Sequence, residues 1–133
     1  MATLERLVYH SVATGRTDNL LTLATLLGQA QHNNARDELT GALVAHDNRF
    51  VQVLEGPAPA IDSLLRRLSV DPRHRGMVIL GREAAERRIF AAWNMASTRI
   101  TPEVLNLMDD LTADRSPSAE QAAMTLQAAV ATA

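Results

Sequence analysis

Two short apolar segments separated by three polar residues do most to constrain how this chain can fold. The segments are LTGALVA (39–45) and RFVQVLEG (49–56), and HDN (46–48) lies between them. Asp47 and Asn48 accept the positive φ angles that a tight hairpin turn requires. The pattern therefore predicts an antiparallel hairpin, which needs further strands and covering helices to be stable.

Further elements are predicted on both sides of the hairpin. LERLVYHSV predicts a first strand ending near Ser11, and apolar residues at helical spacing predict a helix over 20–31. PAPAIDSLLRRLSVDP predicts a second helix between prolines, and MVIL (77–80) and NMASTRI (94–100) predict two more strands. The order strand, helix, strand, strand, helix, strand, strand predicts an α+β, ferredoxin-like, five-stranded mixed sheet with both helices on one face.

Two helical segments, EVLNLMDDL and SAEQAAMTLQAAVATA, follow Pro102 and Pro117. The predicted helices on one face leave the other face of the sheet uncovered, and we expect the C-terminal helices to cover it, with the first of them offering the larger apolar face. Its large apolar residues are Val104, Leu105, Leu107, Met108 and Leu111. The second segment has few large apolar residues, so we expect a second copy or a partner to share in the covering. The sequence thus predicts a sheet domain (1–100) and a C-terminal helical extension (101–133).

Composition argues against several classes of protein. The 133 residues include 13 Lys and Arg and 15 Asp and Glu, a formal net charge of −2, so no net electrostatic field favours nucleic acid or anionic lipid. The chain has no cysteine, which fits a reducing compartment. No apolar run approaches the roughly 20 residues that a membrane span needs. We expect a cytoplasmic protein that binds neither nucleic acid nor membrane.

Residues capable of catalysis are present, but not in catalytic patterns. Ser11, Asp71 and His74 form no nucleophile elbow, and Asp71 and His74 are near neighbours at one predicted helix end. The glycines never form GxGxxG or GxxxxGK[ST], so no phosphate-binding loop is predicted. Four histidines stand at no metal-ligand spacing: His10, His32, His46 and His74. The sequence predicts neither an enzyme nor a metal site.

Several polar and aromatic residues have an ordinary structural interpretation. A glutamine on a half-buried strand usually faces solvent, so the pattern alone favours an exposed Gln52. Tyr9, the single tyrosine, is typical of a packed ring whose hydroxyl reaches water. Asn33 and Asn34 end a predicted helix, where asparagine is a common cap, and the Trp93-x-Met spacing is typical of core packing on one side of a strand. Taken singly, none of these residues indicates a function.

Together and in order, these residues resemble the BLUF family of blue-light sensors, which hold a flavin noncovalently in a ferredoxin-like domain. The matching stretches lie between residues 4 and 100: LVYHSVAT, AQHNNARDELTGALV, FVQVLEG, LRRLSVDPRH and RRIFAAWNM. One stretch alone would be a weak signal, but a Tyr, an Asn pair, a Gln within FVQVLEG and a Trp-x-Met in register are highly specific. The chain departs from the family at Glu38, where glycine usually precedes LTG.

The resemblance implies a role for each matching residue. Tyr9 would give an electron and a proton to the excited flavin, and the Gln52 amide would face inward to bridge Tyr9 and the ring edge. Asn34 would hydrogen-bond the carbonyl edge of the ring, with support from Asn33. The remaining implied site residues are Leu26 and Leu68 on either side of the ring, Arg67, Asp71, Arg73 and His74 on its pyrimidine, ribityl and phosphate side, and Trp93 and Met95 near the glutamine.

The implied function is that of a stand-alone blue-light photoreceptor that signals to a partner protein. Its cofactor would be FAD, with FMN or riboflavin as alternatives, and the resemblance also implies a homo-oligomer, a dimer or larger. Two other functions stay open, a flavin-free interaction module of the same fold and a flavin-dependent redox enzyme. A yellow protein whose spectrum shifts reversibly to the red after blue light excludes the former, and failure to turn over a reductant argues against the latter.

Overall fold

The chain folds into one β-sheet with α-helices packed on it. The structure is a computed structural model, and it describes residues 4–13, 38–47, 49–70, 74–90, 96–98, 100–112 and 118–130. The described elements are β1 (Leu4–Ala13), β2 (Thr40–His46), β3 (Arg49–Pro57), α1 (Ala58–Ser69), β4 (His74–Ala84), β5 (Ala96–Ser97), α2 (Pro102–Thr112) and α3 (Ala119–Ala128). The predicted α+β class is confirmed. The helix predicted over 20–31 lies outside the described residues.

The sheet has the strand order β4-β1-β3-β2-β5. The pairs β4–β1, β1–β3 and β3–β2 are antiparallel, and the short β5 pairs in parallel with β2. The hairpin predicted between β2 and β3 is confirmed, because His46 pairs with Arg49 across the turn. Asp47 has a φ of 53°, the positive value that a tight two-residue turn requires.

Side chains alternate between two faces of the sheet. One, the Tyr9 face, carries Tyr9 and Gln52 and packs against α1 through buried Ile61 and Leu64. Pro57 occupies the N-cap position of α1, so the chain turns directly from β3 into this helix. Arg82 of β4 lies 2.7 Å from a Glu5 oxygen and 2.8 Å from an Asp62 oxygen, which ties α1 to β1 and β4. Those two carboxylates raise the pKa of Arg82.

The opposite side of the sheet, the Val8 face, packs against the C-terminal helices. Its core joins sheet residues and helix residues: Val8, Ala42, Val44, Val51 and Val53 with Val104, Leu107, Met108, Ala119, Ala122, Ala123 and Leu126. α3 contacts four strands, β1 to β4, and α2 packs against α3. The C-terminal helices were expected to cover this face, with α2 supplying the large apolar residues. In the structure α2 contributes to this core, and α3 lies against the strands. Small alanine side chains let α3 approach the sheet closely, so it needs few large apolar residues.

Three strands have other boundaries than predicted. β1 continues beyond Ser11 to Ala13, and β4 runs from His74 to Ala84 where only 77–80 was predicted. β4 is an edge strand, and the polar residues near its ends can face solvent. Because those residues show no apolar alternation, the sequence pattern does not indicate where the strand begins and ends. In the described part of 94–100, only Ala96–Ser97 pairs as β5.

Candidate functional site

The candidate site begins with a buried pair of polar side chains on adjacent strands. Tyr9 of β1 and Gln52 of β3 stand directly opposite each other in the strand register. Tyr9 is 4% exposed and Gln52 is 7% exposed, and the Tyr9 hydroxyl donates a hydrogen bond to Gln52 Oε1. The pattern-based expectation of an exposed Gln52 and of a hydroxyl in water was therefore wrong, because each group is the buried partner of the other.

The pair lies within an apolar surface that excludes water. The buried apolar residues of this cluster are Leu7, Leu39, Leu43, Phe50, Leu54, Ile61 and Leu64, together with the ring of Tyr9. In such a setting the hydrogen bond between the two side chains is stronger than in water, and losing either partner costs more. The arrangement is typical of a built polar site rather than of a polar residue left on a surface.

Ser11 is a third polar residue on the Tyr9 face, and sequence reasoning considered it only as a possible nucleophile. It lies two residues after Tyr9 and opposite Phe50 in the strand register. Its side chain is fully buried, and its hydroxyl oxygen has no hydrogen-bond partner in the part of the chain that the structure describes. A buried hydroxyl without a partner is unfavourable, so this position suits a bound molecule with polar groups. The signal in the sequence was its spacing from Tyr9, which puts both residues on one face.

Helix α1 brings one predicted site residue to the same surface. Leu68 is partly buried and packs against the cluster that contains Tyr9. Arg67 precedes it near the end of α1 and is partly buried. His74 begins β4, where its backbone pairs with Ala13. The end of α1 therefore packs on the Tyr9 face, and the start of β4 pairs with β1, the strand that carries Tyr9.

The other predicted site residues lie outside the described residues. They are Leu26, Asn33, Asn34, Asp71, Arg73, Trp93 and Met95. Among the residues that are described, no group of three or more His, Cys, Asp or Glu side chains is arranged to hold a metal ion. Within the same ranges, no helix combines the length and apolarity needed to cross a membrane.

Comparison with known proteins identifies the family. A family model for BLUF, described as sensors of blue-light using FAD, matches residues 4–96. The chain belongs to the BLUF family. The resemblance seen in the sequence is thereby confirmed, and so is the blue-light sensing that it implied, since the chain contains a BLUF domain.

Related proteins place the BLUF domain in both large and small chains. Photoactivated adenylate cyclase subunit beta of Euglena gracilis is 35% identical over 104 residues, which are 77% of this chain but 12% of that protein. The dark-state structure of BlrB, a BLUF protein, has a TM-score of 0.73 and 29% identity over 96% of this chain and 95% of its own. A bacterial light-regulated adenylyl cyclase has a TM-score of 0.71 and 28% identity over 84% of this chain and 33% of its own.

The Tyr9 face fits the FAD that BLUF domains bind. A flavin ring has a broad apolar face and an edge of carbonyl and nitrogen groups that accept and donate hydrogen bonds. The apolar side chains around Leu68 suit the ring, and the buried polar groups of Tyr9, Ser11 and Gln52 suit its edge. The unpartnered Ser11 hydroxyl is the observation that most favours a polar ligand here.

Proposed function

We propose that this BLUF domain switches through the hydrogen bond between Tyr9 and Gln52. The single observation that carries the proposal is that two buried polar side chains on adjacent strands are bonded to each other within an apolar cluster. Apolar residues of similar volume would pack here at lower cost, so a buried polar pair at this place supports a role toward a ligand.

The two residues divide the work between them. Bound flavin supplies the absorption of blue light and, once excited, a strong oxidant. Tyr9 supplies an electron from its phenol ring and a proton from its hydroxyl, which already points at Gln52 Oε1. Gln52, between Tyr9 and the ring edge, would relay that proton towards the flavin, and the electron and a proton would then return to Tyr9, so that no net oxidation remains. The amide of Gln52 would be left rotated or tautomerised, with its donors and acceptors exchanged. The new arrangement alters the hydrogen bonds at the ring edge and the local packing of β3.

The remaining flavin contacts are proposed on the family resemblance. Asn34 would hydrogen-bond the carbonyl edge of the ring with support from Asn33, and Leu26 would pack against the ring opposite Leu68. The residues proposed for the pyrimidine, ribityl and phosphate side are Arg67, Asp71, Arg73 and His74, and Trp93 and Met95 are proposed to lie near Gln52. Support comes from Leu68, which packs against the Tyr9 cluster.

We also propose the finer fold and the domain boundary. Residues 1–100 would form the ferredoxin-like photosensor, with the helix of 20–31 beside α1 on the Tyr9 face, and 101–133 would form a C-terminal extension. Supporting observations are the packing of α1 on the Tyr9 face and the packing of α2 and α3 on the Val8 face.

The output is proposed to be a partner protein rather than a reaction of this chain. The cyclase names belong to relatives of which the match covers 12% and 33%. We propose a homo-oligomer as well, and the support is an edge strand, β4, whose Val78 and Ile79 are 53% and 48% exposed. Light scattering in the dark and under blue light tests this, since a monomer in both states contradicts it. The predicted cytoplasmic location stays a prediction.

The proposed switch is tested by an absorption spectrum recorded before and after blue light. We expect a yellow protein whose flavin bands shift reversibly to the red, and mass spectrometry of the released flavin should identify FAD. A bound flavin without a reversible shift would contradict the switch. A colourless protein would favour the flavin-free interaction module instead.

A further inference from the structure

Glu55 is a fully buried carboxylate on β3, three residues after Gln52. Strand alternation puts it on the Val8 face, opposite to the face that carries Gln52. Arg6 stands across from it on β1, and Arg6 Nε donates a hydrogen bond of 2.9 Å to Glu55 Oε2. A buried carboxylate is strongly unfavourable unless it is paired and hydrogen-bonded, so its partners show which part of the fold it stabilises.

The other partners of Glu55 are backbone amides of an irregular segment that follows β4. Ile89 N donates to Glu55 Oε2 at 2.9 Å, and Phe90 N donates to Glu55 Oε1 at 2.7 Å. Arg6 Nη2 adds a bond of 3.2 Å to the carbonyl oxygen of Arg87. The buried ion pair of Arg6 and Glu55 therefore holds the backbone of segment 87–90, which lies outside the paired strands. Sequence reasoning did not single out Glu55, because its partners are distant along the chain.

Arg88 fastens the same segment to the neighbouring strands. Its guanidinium donates to Thr40 Oγ1 at 2.9 Å, to the Glu55 carbonyl oxygen at 2.9 Å and to the Glu38 carbonyl oxygen at 2.7 Å. We call Arg6, Glu55 and the segment 87–90 the Glu55 network.

The network is also bonded to both ends of the C-terminal helix α3. Gln127 Nε2 donates to the carbonyl oxygen of Ile89 at 3.2 Å. At the other end, Glu120 N donates to Glu83 Oε1 at 2.9 Å, and that same oxygen lies 3.8 Å from Arg6 Nη1. A continuous path of hydrogen bonds and ion pairs therefore runs from the strand of Gln52 to α3.

We propose that Glu55 is a positioning residue for the light response, which holds segment 87–90 against β3 and transmits a rearrangement at Gln52 to α3. The inference rests on the proposed Tyr9–Gln52 switch. A desolvated carboxylate with three directed donors has few alternative arrangements, so a shift of β3 moves the segment with it. The hydrogen bond of Gln127 is exposed and therefore weaker than the buried bonds of Glu55. The packing of α3 is consequently what changes when the segment moves. A partner protein that binds α3 would then respond to the state of the flavin site on the other face of the sheet.

The first test compares two truncations on the exposed side of α3, Gln127→Ala and Met124→Ala. Met124 is 56% exposed and serves as the matched control. Hydrogen exchange of 119–128 is measured in the dark and under blue light, together with the absorption shift. We expect the shift to persist in both variants. Gln127→Ala should speed dark-state exchange of 119–128 about twofold to tenfold, the factor for one neutral hydrogen bond, and shrink the light-dark difference.

The second test uses Glu55→Gln, which keeps the shape of the side chain and removes its charge. Glu5→Gln is the control, since it makes the same chemical change in the partly exposed ion pair with Arg82. Glu55→Gln should retain the light-induced absorption shift and lose the light-dark difference in exchange at 85–90 and 119–128. Glu5→Gln should keep both. If Glu55→Gln does not fold, the Gln127→Ala comparison decides alone.

The outcomes separate this inference from the proposed switch. A parent protein with a reversible shift but with no light-dark difference in α3 overturns the inference and leaves the switch intact. The same holds if Gln127→Ala keeps the full difference, or if Glu55→Gln does so. A parent protein with bound flavin and no reversible shift overturns the switch itself, and with it the transmission through Glu55.

Discussion

Tyr9 and Gln52 are paired across β1 and β3, and the tyrosine hydroxyl donates its hydrogen bond to the amide oxygen of the glutamine. The amide oxygen of Gln52 serves as the acceptor in this pair, and its amide nitrogen carries the two donors. Turning the amide over would present the nitrogen to Tyr9, whose hydroxyl oxygen would then accept. The same two side chains thus have two hydrogen-bonded arrangements, which is the minimum that a two-state switch requires.

Gln52→Leu should keep the flavin and abolish the light-induced red shift. Leucine has a similar volume and suits the surrounding apolar cluster, but it has no donor or acceptor to rearrange. The Tyr9 hydroxyl loses its acceptor, at a cost of about 1–3 kcal/mol in the free energy of unfolding. The flavin-to-protein ratio and spectra before and after illumination check this. A normal reversible shift in the variant would refute the role of Gln52.

Tyr9→Phe should lengthen the lifetime of the excited flavin, because the phenol that gives the electron and proton is removed with little change in packing. The flavin should stay bound. Trp93 is the alternative electron donor, so the variant is compared with Trp93→Phe and with the double variant. Time-resolved fluorescence measures the effect. If Tyr9→Phe has the lifetime and photocycle of the parent, Tyr9 is not the redox partner.

Glu38→Gly should stabilise the protein by about 0.5–1 kcal/mol. Glu38 has a φ of 60°, a left-handed conformation that costs a residue with a side chain about 1–2 kcal/mol. Glycine removes that strain but gives back about 0.5–1 kcal/mol in chain entropy. The bond from Arg88 is to the Glu38 carbonyl oxygen, so the change keeps it.

Urea unfolding measures this gain, with Asp47→Gly as the matched control. Asp47 has a φ of 53°, but aspartate tolerates this region better than glutamate, so its substitution should have a smaller effect. Equal or lower stability of Glu38→Gly relative to the parent would contradict the prediction.

Much of the fold followed from local signals in the sequence. The hairpin at Asp47 and the proline entry of α1 at Pro57 were predictable, because turn and cap chemistry acts within a few residues. The sequence of α3 also contains a signal of this kind, SAEQ, which forms a capping box between Ser118 and Gln121. How closely it packs on the sheet could not be predicted, because the approach that alanines allow depends on what lies opposite.

The site was less accessible to pattern reasoning, because burial of a polar residue depends on partners far along the chain. Strand alternation puts Gln52 on one face and Glu55 on the other, but it does not tell that both faces are buried at these positions. The partners are Tyr9 and Arg6, both on β1, and they meet β3 only once the sheet has formed. The inward position of Gln52 was obtained from the family resemblance and not from periodicity.

His10 gives the fold a dependence on pH. It lies on β1 next to Tyr9 but on the Val8 face, opposite Val51, and its Nε2 atom is buried with no hydrogen-bond partner among the described residues. Burial lowers the pKa of His10 below its usual value of 6.5, and the positive charge of Arg49 lowers that pKa further. The folded protein therefore resists protonation of this imidazole.

Stability should consequently fall as the pH falls below the ordinary histidine pKa. In that window the unfolded chain takes up a proton at His10 that the folded chain does not, so the free energy of unfolding decreases until the pH passes the lowered pKa of the folded state, where the decrease ends.

Urea midpoints measured in steps from pH 7.5 to pH 5 should show this loss in the parent. His10→Gln should flatten the curve, since glutamine does not titrate, and Arg49→Gln should reduce the slope because it removes the second cause of the shift. The other histidines are the same in all three proteins, so the difference between curves isolates His10. Identical slopes in the parent and in His10→Gln would show that this imidazole does not control the acid side of stability.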